Sequence, residues 1–281
     1  MPRPELMRME RSEMANQESR AGNVRETSHT PGKIEIRLPR PSDRLDQDAE
    51  HCSVRVSGEW QDIRFHDYDR IYRIPGLYEQ LFHDILQCSS PDVIGKLLKE
   101  QLQERGFEPQ SLRVLDLGAG NGLVGEQLHR LGPDLLVGVD IIPEAREAAL
   151  RDRPGTYDSY HVADVTELSP ALKAELTAAR FNTLCCVAAL GYADIPPAAF
   201  RAAFNLISDN GWIAFNIKDR FLSEDDTSGF AALIRRLREA NVLELLTSER
   251  YQHRRNVNGE PLYYVALVGR KHRDIPEEFV R

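Results

Sequence analysis

Apolar residues along this chain fall into two alternating patterns: short unbroken runs, and longer stretches where they recur every three or four positions. The runs 114–117, 135–139, 181–187 and 212–217 predict strands buried on both faces, with a further strand at 159–164. Between them, 123–130, 143–150, 169–179, 196–207 and 227–240 predict helices. Upstream, Ser90-Pro91-Asp92 predicts an N-cap with proline at the first helical position, and Val93, Ile94, Leu97, Leu98 and Leu102 form the apolar stripe of a helix that Gly106 ends. Repeated β–α alternation predicts an α/β fold whose parallel sheet is covered on both faces. The last two runs, 243–253 and 262–270, are joined by Asn256-Val257-Asn258-Gly259. So short a link permits only an antiparallel hairpin, so the sheet is mostly parallel with its last strand reversed.

The N-terminal fifth reads differently. Residues 1–58 show no sustained apolar period and carry acidic and basic residues in balance, which predicts a disordered polar tail, dispensable for folding and cofactor binding up to about residue 55. Only 33–39 alternates, as one edge strand would. Residues 59–110 read as an N-terminal helical cap and lead-in helix, with Trp60, Phe65, Tyr68, Tyr72 and Tyr78 concentrated at its start. Tyr68 and Tyr72, four apart, share a face if helical, and either cover a ligand or pack on the domain surface. Residues 111–273 form the core, and 274–281 a C-terminal tail.

Composition narrows the partners. A formal charge of −8 over 281 residues excludes a general nucleic-acid binder. No run of about 18 apolar residues predicts a membrane span, and no secretory or transit pattern stands at the N-terminus. Cys52, Cys88, Cys185 and Cys186 make no CxxC pair, which suits a reducing cytoplasm. Basic residues cluster at 253–255 and 271–273, at opposite ends of the predicted hairpin and roughly 30 Å apart at about 3.3 Å per residue. That separation argues against nucleic acid as a partner. Arg254 and Arg255 would at most attract an anionic small acceptor.

The chemistry concentrates in Val114-Leu115-Asp116-Leu117-Gly118-Ala119-Gly120-Asn121-Gly122-Leu123. A strand that turns through glycines into a helix leaves backbone N–H groups uncovered, and glycine lets a ligand approach them. Two nucleotide-type cofactors fit. Gly120-x-Gly122-x-x-Gly125, with Asp140 twenty residues past Gly120, has dinucleotide spacing and would make the protein an NAD-dependent oxidoreductase. The alternative frame is Gly118-x-Gly120-x-Gly122 preceded by Asp116. It is favoured by that carboxylate, by Asp164 at the next strand end, and by the reversed last strand.

These segments, with Val137-Gly138-Val139-Asp140, His161-Val162-Ala163-Asp164-Val165 and the terminal hairpin, resemble the class I S-adenosylmethionine-dependent methyltransferases. Within the family, the aromatic lead-in and Gly122-Leu123-Val124 are similar to the Williams–Beuren-region methyltransferase-like proteins. The resemblance implies a Rossmann-like, doubly wound seven-stranded sheet and S-adenosylmethionine as cofactor, leaving S-adenosylhomocysteine as product. It further implies that Gly118, Ala119, Gly120, Asn121, Gly122 and Leu123 cradle the methionine part, with Asp116 near its amino group. Asp140 would hold the ribose and Asp164 the adenine amino group. Ile141 and Val165 would sandwich the ring, Ala188 and Ala189 would line the sulfonium, and Tyr68 or Tyr72 would lie over the cofactor.

No Asn/Asp-Pro-Pro-aromatic motif follows the fourth core strand, where Val187-Ala188-Ala189-Leu190-Gly191-Tyr192 stands. No cytosine-C5-type nucleophile is placed there, and no Glu/His metal cluster of O-methyltransferase type is visible, so no metal is expected. The acceptor is expected to be a small molecule, aligned in line and shielded from water. Should a base be needed, the candidates are His66, Tyr72, Tyr192, Asp219 and His253, with Asp194 and Lys218 beside them. Since none is obligatory, a non-catalytic S-adenosylmethionine-binding regulatory protein is the second rival. Residues 221–228 read as a loop able to close on substrate.

Overall fold

The computed structural model describes residues 24–26, 34–40, 45–190, 194–222, 226 and 228–280. The chain divides into two compact units, one built of residues 1–67 with Asn256–Glu260, the other of Tyr68–Arg255 with Pro261–Arg281.

The first unit is a four-stranded antiparallel sheet in sequential order: β1 (Val24–Glu26), β2 (Ile36–Pro39), β3 (His51–Val56) and β4 (Glu59–Arg64). The alternation noticed at 33–39 is β2, and it continues on its partners. Ile36, Leu38, Cys52, Val54, Ile63 and Phe65 are all buried. This corrects the expectation of a structureless tail for the described part of 1–58. Each strand has too few apolar residues to announce itself, yet three paired strands pool them into one face. The boundary expected after residue 58 falls inside the β3–β4 turn, where Ser57 and Gly58 both take positive φ. Residues 59–64 are strand rather than helical cap, and Trp60 lies under the Arg37 guanidinium at 3.8 Å. Residues 1–23 and 27–33 lie outside the described residues.

In the second unit, α1 (Tyr68–Arg73) and a π-helical turn (Glu79–Ile85) precede α2 (Ser90–Glu104). The core then runs β5 (Arg113–Leu117), α3 (Leu123–His129), β6 (Leu135–Asp140), α4 (Pro143–Asp152), β7 (Ser159–Val162), α5 (Pro170–Ala178) and β8 (Thr183–Cys186). It ends with α6 (Pro197–Phe204), β9 (Trp212–Lys218), α7 (Phe230–Glu239), β10 (Leu243–Arg255) and β11 (Pro261–Lys271). The sheet order is β10-β11-β9-β8-β5-β6-β7. All pairs are parallel except the two made by β11. The α/β, mostly parallel seven-stranded sheet with its last strand reversed is therefore as the alternation predicted.

Two apolar layers cover the sheet because successive strand side chains point to opposite faces. Val114 packs with Ile94, Leu98 and Leu136 on one side, and Leu115 with Val137, Phe200 and Phe204 on the other. Strand order reverses between β5 and β8, so the chain leaves these neighbours in opposite directions and opens a crevice at their carboxyl ends. A Cβ on Gly118, just after β5, would stand 3.1 Å from the Ala189 Cβ after β8 and 2.9 Å from Ile195. The two segments meet at that switch point.

Candidate active site

The glycine loop is built from left-handed backbone. Gly118, Gly120 and Gly122 have φ of 69°, 54° and 84°, a region where a side chain is strained. The alternate glycines thus turn the chain from β5 into α3, and, against the expectation of uncovered N–H groups, those of Gly118 and Ala119 donate to the Val139 carbonyl and that of Gly122 to the Ala119 carbonyl. Asp140, ending β6, fastens the loop. Its Oδ2 accepts from the Gly120 N–H and its Oδ1 from the Ile142 N–H, each at 2.9 Å. Burial raises the Asp140 pKa, and these backbone donors pull it back. Two lone pairs on each oxygen leave capacity for two further donors, as a ribose diol would offer.

Apolar surface flanks that carboxylate. Ile141 is 62% exposed, unusual for so large an aliphatic residue. Val162, register partner of Asp140, is 40% exposed. Val165 instead is buried in the core with Leu117 and Val139. Asp164 is solvent-facing, and its Oδ1 accepts from the Thr166 N–H at 2.8 Å and hydroxyl at 2.6 Å. Those bonds hold its pKa below the usual carboxylate value.

Asp116 sits beneath the loop. It is 1% exposed and accepts from the Tyr157 hydroxyl at 2.7 Å. Burial pushes its pKa up to about 7 against the lowering effect of that bond. The Tyr160 hydroxyl donates to the Gly120 carbonyl at 2.7 Å. On the other side, Tyr68, Tyr72 and Tyr78 form a stacked ladder with centroids 6.0 and 5.4 Å apart. The Tyr72 hydroxyl occupies the space that a Cβ on Gly120 would need, 2.6 Å away. Burial raises the pKa of Tyr68 and of Tyr72, so both phenols stay protonated. Glu79 is bound through Oε1 to the Asn121 amide and to Arg153, each at 2.7 Å, while its buried Oε2 has no partner.

The β8–β10 end holds a network of uncharged polar side chains. Asn216 of β9 accepts from the Ala188 N–H at 2.6 Å and donates to the Tyr251 hydroxyl at 2.6 Å and the Ser90 hydroxyl at 3.0 Å. Ser90 in turn meets Tyr251 and His253 Nδ1, each at 2.6 Å. Ser89 stands at the N-cap, so Ser90, expected there, spends its hydroxyl on this network instead. Ala188 is held at φ 56°, a strained value for alanine. Burial first, then the Arg254 and Lys218 charges, lowers the His253 pKa well below its ordinary value, so the ring is neutral.

The other candidate bases are placed as follows. The Asp219 carboxylate is paired with Arg250 at 2.9 Å. His66 belongs to the first unit, and Asp194 sits in the turn before α6. Tyr192 lies outside the described residues. Of the predicted loop 221–228, Phe221 and Leu222 close a 3-10 turn, Asp226 accepts from the Ser228 and Ala231 N–H groups, and 223–225 and 227 lie outside the described residues. Among the described residues, no group of His, Cys, Asp or Glu could hold a metal ion, and no helix is long and apolar enough to cross a membrane. Sequence reading missed Glu79, Arg153, Tyr157, Tyr160 and Asn216. Their partners lie 27 to 126 residues away along the chain, and no local pattern marks them.

Sheet order, reversed last strand, and a glycine loop fastened to the next strand's carboxylate define an open α/β nucleotide-cofactor fold. The sequence model of the family described as "Methyltransferase domain" matches residues 80–258, and the chain belongs to that family, among the class I S-adenosylmethionine-dependent methyltransferases. Ubiquinone biosynthesis O-methyltransferase of Bordetella avium (strain 197N) is 28% identical over 129 residues, 45% of this chain and 51% of that protein. The protein of the same name in Xanthomonas axonopodis pv. citri (strain 306) is 31% identical over 116 residues, 41% of this chain and 46% of that protein. The chain spans about half the length of the curated relatives it matches. The N-methyltransferase NodS of Bradyrhizobium japonicum WM9, solved with S-adenosyl-L-homocysteine, superposes with a TM-score of 0.50 at 15% identity, over 74% of this chain and 97% of that one. At that identity the likeness is one of fold.

Proposed function

We propose that the protein transfers a methyl group from S-adenosylmethionine to a hydroxyl oxygen of a small molecule. The carrying observation is the left-handed glycine loop fastened to Asp140, with the exposed Ile141 beside it. When bound, the cofactor supplies a methyl group already activated by its sulfonium. Asp140 would take the ribose hydroxyls with the acceptor capacity its backbone donors leave. Ile141 would cover the adenine, and Asp164 would accept from its amino group. Residues 118–123 would carry the methionine part, Ala188 and Ala189 would face the reacting centre, and Tyr68 and Tyr72 would close the site. The chain's own work is then alignment and exclusion of water.

The names of the relatives favour an oxygen acceptor. A phenol-type hydroxyl, with a pKa near 10, suits a site whose histidine is buried and neutral, since it ionises without a strong base. The spent basic residues support a small acceptor over nucleic acid. Arg254 is buried and donates to the Arg255 carbonyl, Arg255 donates to Gln87, and Lys271 is buried against Asp274. Calorimetric titration tests the cofactor: S-adenosylmethionine and S-adenosylhomocysteine should bind and NAD should not. Binding of NAD alone would overturn the reading.

A further inference from the structure

We propose that Glu79, from the π-helical turn ahead of the core, is the residue that binds the α-ammonium group of the cofactor's methionine moiety. The inference rests on the cofactor reading above. It begins with an accounting problem. Glu79 Oε1 receives two donors, the Asn121 amide and Arg153 Nη1, each at 2.7 Å. Oε2 of the same carboxylate is buried and receives none. A buried carboxylate oxygen without a donor is costly, and such atoms call for an explanation, a ligand among them.

Position supplies the ligand's identity. Asn121 stands between the left-handed Gly120 and Gly122, in the loop whose backbone would carry the methionine part. Arg153 also grips the Asn121 carbonyl at 3.0 Å, so loop and carboxylate are clamped by one guanidinium. With Oε1 held twice, the direction of Oε2 is fixed in advance, which favours binding by preorganisation. Tyr78, the preceding residue, stacks on Tyr72, whose hydroxyl lies against Gly120. Glu79 therefore reaches the loop from the same segment as the aromatic ladder. The π-helical turn it begins is a wide, infrequent form concentrated at functional sites.

Acceptor capacity supplies the chemistry. Arg153 Nε also bonds Glu126 Oε2 at 3.2 Å, so one guanidinium faces two carboxylates. Glu126 is paired in turn with Arg130 at 2.6 Å, so the charges of the cluster balance, and what is left for a ligand is the acceptor capacity of Glu79 Oε2, to which an ammonium group would donate. Asp116, the residue the sequence suggested for this contact, is buried beneath the loop and engaged with Tyr157. It binds a proton near neutrality and offers the ligand no assured charge.

The test is calorimetric, on the full chain, with two ligands: S-adenosylhomocysteine, and methylthioadenosine, which keeps the nucleoside and sulfur but lacks the amino acid. Glu79→Gln should weaken S-adenosylhomocysteine binding about 10- to 100-fold and leave methylthioadenosine within about twofold. Equal affinity of variant and wild type for S-adenosylhomocysteine overturns the assignment. So does equal loss of both ligands, which would make Glu79 a prop for the loop. Should Glu79→Gln fold poorly, Glu79→Asp keeps the charge one methylene short, and the same selective loss is required of it. Failure of the wild type to bind S-adenosylhomocysteine would instead strike the cofactor reading itself.

Discussion

The two halves of the sheet's carboxyl edge are built on opposite principles. At β5–β6–β7, Asp140 turns to the glycine loop and Asp164 to solvent. Asp140 and Asp164 each accept from backbone N–H groups one or two residues further on, and Ile141 is left exposed. At β8–β9–β10, polar side chains turn inward and satisfy one another. Asn216, Ser90, Tyr251 and His253 form a closed neutral network that ends on the Ala188 N–H. The first half leaves apolar surface open beside its carboxylates, as the proposed cofactor would require, and the second holds backbone still. A transfer from an already activated donor asks for both, and for little acid–base chemistry.

The contrast can be broken most sharply at Asp140. Asp140→Ala removes the loop fastening and the proposed ribose contact together, and should weaken S-adenosylhomocysteine binding by on the order of a hundredfold or more. Asp140→Asn keeps one acceptor and should cost less. Titration of both variants, with folding checked by circular dichroism, decides it: wild-type affinity in Asp140→Ala would remove the β5–β7 half from the cofactor site.

Asn216→Ala should do the reverse. It leaves the half-buried Ala188 N–H and two hydroxyls short of partners, at a cost of about 2 kcal/mol. Cofactor affinity should change by no more than about threefold. Urea denaturation alongside titration measures both, and a larger loss of affinity than of stability would show that the halves are coupled.

Asp116 gives a pH signature. Its folded pKa of about 7 stands above the unfolded value near 4. The folded state therefore holds the extra proton between those values. The group's contribution to stability is fully present below about pH 4 and is lost as pH rises through about 7. Asp116→Asn should flatten this fall. The destabilisation that the raised pKa represents is offset in part by a weaker bond from Tyr157 to an amide, leaving a gain on the order of 1 kcal/mol at pH 8. Denaturation at pH 5 and pH 8 would expose an unchanged slope, which would refute the burial argument. The smallest effect is expected at Asp164, which faces solvent. Asp164→Ala should weaken S-adenosylhomocysteine by tenfold or less, and a hundredfold loss would mean it is shielded when ligand is present.

Local chemistry explains what could be read without coordinates. Strand runs, caps such as Ser169, which accepts from the Leu172 N–H, and the 256–260 turn all depend on neighbours within a few residues. The cofactor half was legible for the same reason: its glycines and carboxylates follow directly on the strands that position them. The first unit was not, because β2, β3 and β4 each bring only one or two buried apolar residues, and pairing alone makes them a face.

By itself, then, the sequence determined the α/β alternation, the reversed last strand, the glycine loop and the order of Asp116, Asp140 and Asp164 along the strand ends. Only the tertiary structure decided which of these carboxylates is sealed in the interior. Asp116 and Asp140 carry the same side chain near the ends of adjacent strands, yet one is sealed under the loop by Tyr157 and the other turns Oδ2 to the Gly120 N–H of the loop and Oδ1 to the Ile142 N–H. Tertiary structure also decided that His253 is neutral and that Glu79 reaches the loop. Burial and partner choice come from residues distant in sequence, such as Ser90 for His253 and Arg153 for Glu79, and packing alone brings them together.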